Sequence, residues 1–168
     1  MKELYLVRHA KSSWDDHSVP DHDRPLNKRG RRDAPYMSAW FAKKYGKPDL
    51  LITSTARRAQ ETADAFAAAC GISEDSVVRT REIYQATVQD ILDQIAWLAT
   101  NEHERVMLIG HNPTLTYVLE ALVKGDVNEM STCSVAVIRF ADASSWKDLH
   151  DGELVEFASP KHLDEHGD

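Results

Sequence analysis

Short uninterrupted apolar runs punctuate the chain, and between them the apolar positions recur at helical spacing. Leu4-Tyr5-Leu6-Val7, Leu50-Leu51-Ile52 and Val106-Met107-Leu108-Ile109 have the continuous character of strands buried on both faces, and Val77-Val78 reads as a shorter member of the same sheet. Three stretches predict helices: about 28–45, with Ala34, Met37, Phe41 and Tyr45 on one stripe; about 57–69, alanine-rich and stopped by Gly71; and about 88–100, with Ile91, Leu92, Ile95 and Leu98. Asn112-Pro113 predicts a fourth helix through about Val123, with the asparagine as cap and the proline at the first helical position. Ser134–Phe140 and Glu153–Phe157 alternate apolar and polar residues, which predicts two edge strands of the same sheet. Strand runs alternating with helical patterns, without repeats or low-complexity linkers, predict an α/β fold.

At 168 residues and 42% hydrophobic content, the chain has material for one core and too little for two. We expect a single domain over 1–159 and a polar, frayed tail over 160–168, which makes His162 and His166 tail residues. Met1-Lys2-Glu3 is followed by only four apolar residues before Arg8, and no stretch is long enough to span a bilayer, so the expected setting is cytoplasmic with no membrane partner. Cys70 and Cys133 have no cysteine or histidine at ligand spacing and read as reduced core residues.

Charge changes the picture. Residues 1–58 carry 13 Lys/Arg against 7 Asp/Glu, and residues 59–168 carry 7 against 20. Positive charge gathered in the first third of an acidic protein fits an anionic ligand, although basic helix faces would also produce it. Nucleic acid is a poor partner, because the rest of the surface would repel a polyanion.

In open α/β sheets, ligands bind beyond the carboxyl ends of the parallel strands. Those ends carry Arg8-His9, then Thr53-Ser54 just before Arg57-Arg58 at a helix start, then Gly110-His111. Singly, each has an ordinary structural reading; together they are the inventory for binding and transferring a phosphoryl group. A neutral imidazole attacks phosphorus when one ring nitrogen is fixed as a donor and the other keeps its lone pair. Guanidinium forks match phosphoryl oxygens and stay charged, which suits Arg8 and Arg58 to transition-state stabilisation. His111 would add a further hydrogen bond, better as the cation.

Leu6-Val7-Arg8-His9-Ala10, Ser54-Thr55-Ala56-Arg57-Arg58-Ala59-Gln60-Glu61-Thr62 and Ile109-Gly110-His111-Asn112-Pro113 resemble, in order and spacing, the three signatures of the histidine phosphatase (phosphoglycerate mutase-like) superfamily. The short length, Arg-His-Ala in place of Arg-His-Gly, and Asp23-Arg24-Pro25-Leu26-Asn27-Lys28-Arg29-Gly30 are similar to the SixA-type phosphohistidine phosphatases. The resemblance covers roughly residues 3–140. It implies a three-layer sandwich with a mostly parallel central sheet and helices on both faces, no metal or cofactor, His9 as the phosphorylated nucleophile, Arg8 and Arg58 as phosphate clamps, and His111 as the second pocket histidine. Arg58 rather than Arg57 matches, because it directly precedes Ala59 and stands four residues before Thr62. Lys11 and Arg24 would add positive charge at the pocket rim.

Two departures matter. Ala10 replaces the signature glycine, so the backbone there needs no positive φ. Many relatives protonate the leaving group with a carboxylate; the nearest candidate is Glu82, offset by about one residue, with Asp15 and Asp16 weaker still. An alkoxide needs that proton, whereas a phosphorylated imidazole can already be protonated near neutral pH and leaves as a neutral ring. The expected substrate is therefore a protein carrying phosphohistidine. The alternatives are a small phosphoester or, in a different class, a non-catalytic phosphoprotein-binding module. A zinc hydrolase built on His9, His17, His22 and His111 is disfavoured, since none of these pairs has helical ligand spacing and the arginines would repel a cation. A mutase would need inserted segments for which the chain has no room.

Overall fold

Each uninterrupted apolar run is a strand with helices over both its faces. The computed structural model describes residues 1–166; Gly167 and Asp168 of the expected tail lie outside the described residues. The strands are β1 (Lys2–Arg8), β2 (Leu50–Ser54), β3 (Val77–Thr80), β4 (Arg105–Gly110), β5 (Val135–Phe140) and β6 (Glu153–Ala158), in the order β3-β2-β4-β1-β5-β6. β1, β2, β3 and β4 are mutually parallel, and β5 runs antiparallel to both its neighbours.

Successive side chains of a strand point to opposite faces, so continuous apolar runs supply two cores. Tyr5, Val7, Met107 and Ile109 pack with Met37 and Phe41 of α1 (Lys28–Tyr45) and with Ala63 and Phe66 of α2 (Arg57–Cys70). Leu4, Leu6, Val106 and Leu108 pack with Ile91 and Ile95 of α3 (Val88–Leu98) and with Val118 and Leu119 of α4 (Thr114–Leu122). Each such side chain, fully buried, is worth about 1.5–3 kcal/mol before entropy is set against it. The result is the three-layer α/β sandwich with a mostly parallel sheet. No described helix is long and apolar enough to cross a membrane.

Three expectations change. β5 is not an edge strand: it lies between β1 and β6, and its side chains are almost all buried, so the alternation there marked the antiparallel half of the sheet rather than its rim. The expected tail forms α5 (Pro160–His166), held because Leu163 is buried in the core beside α1. The fourth helix begins at Thr114, not Pro113, and Asn112 instead uses its side-chain oxygen to accept from the Thr116 backbone and hydroxyl, at 3.1 and 3.0 Å.

One close approach places α1 against the loop after β1. Gly30 lies in the first turn of α1, whose amide donates to the capping Asn27 Oδ1 at 2.9 Å. A Cβ at Gly30 would stand 2.2 Å from the Lys11 carbonyl oxygen, so only glycine fits there. Asn27 N–H donates to that same carbonyl at 2.9 Å.

Candidate active site

β1 and β4 pair in register with Arg8 opposite Gly110, so His9 and His111 leave the sheet side by side. Their ring centroids are 5.1 Å apart. His9 is buried, and its Nδ1 lies 2.7 Å from the Ala10 carbonyl, which can only accept; the proton is therefore on Nδ1 and the Nε2 lone pair is free. The backbone under it is held from three sides. His9 N–H donates to Gly110 O at 3.0 Å, Ala10 N–H donates to Thr62 Oγ1 at 3.0 Å, and Cys133 N–H reaches Arg8 O and His9 O at 2.9 and 3.1 Å. Cys133 has φ 59°, whereas Ala10 is not among the described non-glycine residues with positive φ, in keeping with alanine there. Burial pushes the His9 imidazole down to about 3, with His111, Arg58 and Arg8 adding repulsion, so it stays unprotonated.

Three nitrogens around this ring are buried without a partner: Arg8 Nε, Arg58 Nε and His111 Nδ1. An unsatisfied buried polar group costs about 1–3 kcal/mol. Three on separate elements make a place suited to an anionic acceptor. Arg8, at the end of β1, is braced by Nη1 donating to Met130 O at 2.9 Å. That carbonyl also accepts from Asn112 Nδ2 at 3.0 Å, and Met130 N–H donates to Thr116 Oγ1 at 3.0 Å. His111 Nε2 is 2.8 Å from Ser54 Oγ, at the end of β2, and burial pushes His111 down to about 4. Ser54 Oγ accepts from Ala56 N–H at 3.1 Å and keeps both its proton and a second lone pair for His111 Nε2, so the contact accommodates the tautomer that carries the ring proton on Nδ1.

Arg58 and Arg57 part company at the start of α2. Arg58 is 6% exposed, whereas Arg57 faces solvent with Nε 3.8 Å from Glu61. The terminal nitrogens of Arg58 meet Asp21: Nη1 donates to its carbonyl at 2.7 Å and Nη2 to Oδ2 at 3.0 Å. Asp21 opens a 3₁₀ turn, Asp21–Asp23, and also accepts from Tyr84 Oη at 2.7 Å and Arg24 Nε at 3.1 Å. These donors, Tyr84 foremost, hold its carboxyl well below the usual range. His22 Nε2 lies 2.8 Å from Thr55 Oγ1, and its ring meets Tyr84 edge-on at 4.8 Å. Asp21, Arg58, Tyr84, His111 and Pro113 line a cavity of about 330 Å³.

The other candidates lie apart from the buried donors. Arg24 is buried, but Ser12 Oγ, Ser13 O and Asp21 take up its guanidinium, which also stacks on Trp14 at 3.5 Å. Lys11 is exposed. Glu82 is exposed on the turn Arg81–Ile83, and the cavity takes Ile83 and Tyr84 from this segment, not Glu82. His17 is exposed. Among the described residues no three His, Cys, Asp or Glu side chains are placed to hold a metal ion. Sequence reasoning missed Asp21 and Tyr84, which belong to no strand end; the one available signal was a carboxylate three residues before Arg24.

Residues 4–91 match the histidine phosphatase superfamily (branch 1). The chain is 30% identical over 154 residues to a chloroplastic protein of Arabidopsis thaliana, covering 88% of this chain and 70% of that one. It is 32% identical over 168 residues to a Mycobacterium tuberculosis protein, covering 92% and 100%. The structure of a candidate phosphohistidine phosphatase SixA from Agrobacterium tumefaciens superposes with TM-score 0.79 at 32% identity, over 95% of this chain and 98% of that one. A protein histidine phosphatase SixA complexed with tungstate shares the fold, with TM-score 0.80 at 20% identity over 96% and 99%.

Proposed function

Because the chain belongs to the histidine phosphatase superfamily and is a metal-independent phosphatase, we propose that it removes the phosphoryl group from phosphohistidine on a protein, through a phosphorylated His9. The observation that carries this reading is the set of three unpartnered buried nitrogens, Arg8 Nε, Arg58 Nε and His111 Nδ1, beside an imidazole whose Nε2 lone pair is free. A phosphoryl group bound there satisfies all three and faces the nucleophile.

His9 Nε2 attacks phosphorus as the bond to the leaving group breaks, and the bonding pair departs with that group. Arg8 and Arg58 hold the equatorial oxygens, and His111 donates from Nδ1. Water then attacks the phosphorus of phospho-His9, the P–N bond returns its pair to Nε2, and inorganic phosphate leaves. Nothing in this cycle calls on Glu82, which suits a substrate whose leaving imidazole already bears its proton. Both cysteines are free thiols, in keeping with a cytoplasmic setting. The test is turnover of phosphohistidine proteins against simple alkyl phosphates: the former are expected to react much faster, and efficient turnover of alkyl phosphates alone would overturn the assignment.

A further inference from the structure

The cavity beside His111 is larger than a phosphoryl group needs, and its walls have a definite chemistry. Ile83, Ala86, Ile91 and Pro113 give it an apolar side next to the polar Arg58, His111 and Asn112, Tyr84 lines it, and Asp21 is the only carboxylate among the described residues that line it. The Asp21 side chain is 47% exposed. A carboxylate has about four lone-pair sites; Arg24 takes one on Oδ1 and Arg58 and Tyr84 take two on Oδ2, so one remains, on Oδ1.

From this juxtaposition we infer that Asp21 and Tyr84 form a leaving-group subsite for a flat, cationic ring, the imidazolium of protonated phosphohistidine. The inference deepens the proposed reading and rests on it. A phosphoryl group bound at Arg58 Nε shares the guanidinium charge with Asp21, which leaves part of the Asp21 charge for the group attached to phosphorus. The remaining N–H of the imidazolium donates to Asp21, and the ring lies against Tyr84. That contact raises the bound fraction of the protonated substrate. When the P–N bond breaks, its pair returns to the departing nitrogen and the ring leaves neutral, its N–H still on Asp21. The same carboxylate faces a dianionic phosphoester with no compensating cation, which disfavours it. Held ionised by Tyr84, Arg58 and Arg24, Asp21 has no proton to give and is no general acid.

The experiment compares kcat/KM for a phosphohistidine peptide and for 4-nitrophenyl phosphate in wild type, Asp21→Asn and Asp21→Glu. Asn keeps one oxygen to accept from Arg58 and Tyr84, turns its amide nitrogen toward Arg24, and loses the charge. The expected result is a phosphohistidine-to-aryl ratio about five- to tenfold lower in Asp21→Asn, the scale of one partly solvated charge pair, and recovered in Asp21→Glu. Equal losses on both substrates would overturn the inference, because Asp21 would then act only by positioning Arg58. An unchanged ratio would overturn it as well. Loss confined to the aryl ester would identify Asp21 as a proton donor. Wild type inactive on both substrates would sink the phosphatase reading itself, and the subsite with it.

Discussion

His9 and His111 face each other across a ring-to-ring distance of 5.1 Å, on adjacent parallel strands, and burial holds both neutral. Pushed down to about 3 and about 4 from an ordinary 6.5, they refuse protons that the unfolded chain would take up. Stability therefore rises with pH across that interval: it is full above about pH 6.5 and falls as the pH drops toward 4. The thermal midpoint is expected to decline over this window, and less steeply in His111→Gln. A wild-type midpoint that stays level from 6.5 to 4 would contradict a neutral buried pair.

The proposed nucleophile gives a chemical signature. His9→Ala should lower turnover by roughly 10⁴-fold or more while the fold persists, since the side chain stands beyond the end of β1 and makes one hydrogen bond, to Ala10 O. Wild type quenched during turnover should carry an acid-labile, base-stable phosphoryl label that the variant lacks. Activity retained in His9→Ala would end the mechanism.

Arg57 and Arg58 offer a paired test, because neighbouring residues of one helical turn meet opposite environments. Arg58→Ala removes a buried clamp and should cost about 10²–10³-fold in kcat/KM. Arg57→Ala breaks only a long, exposed pair with Glu61 and should stay within about threefold. Comparable losses on one substrate would show that both guanidinium groups engage phosphate.

Glu82 is the remaining carboxylate to settle. Exposed and outside the cavity wall, it should tolerate Glu82→Gln with less than about a twofold change on phosphohistidine and aryl phosphate alike. Selective loss of alkyl phosphate turnover in the variant would restore it as an acid.

Much of the scaffold was legible because the parallel strands are covered on both faces, so Leu4–Val7 and Val106–Ile109 read as unbroken apolar runs with little ambiguity. The strand ends then pointed to Arg8, His9 and His111 without further information. What resisted reading depends on contacts between distant segments. Arg24 looked like a rim charge because nothing local reveals that Ser12, Ser13 and Asp21 claim it. Asp21 and Tyr84 are 63 positions apart and come together only when the loop after β1 crosses to the segment after β3. The last helix escaped because it owes its place to one buried leucine, Leu163, amid polar residues.

The position of β1 inside the sheet divides the site by rigidity. With β4 on one side and β5 on the other, Leu4 to Val7 are paired on both edges, so the strand that carries His9 at its end is expected among the slowest-exchanging segments. The turn at Asp21–Asp23 buries none of its own residues and is tied to the rest largely through polar side chains, so it is expected to exchange faster. The proposed nucleophile thus follows an interior strand, while the proposed leaving-group wall stands on an exposed turn. On the proposed reading, such a division would let one nucleophile serve phosphorylated surfaces of differing contour.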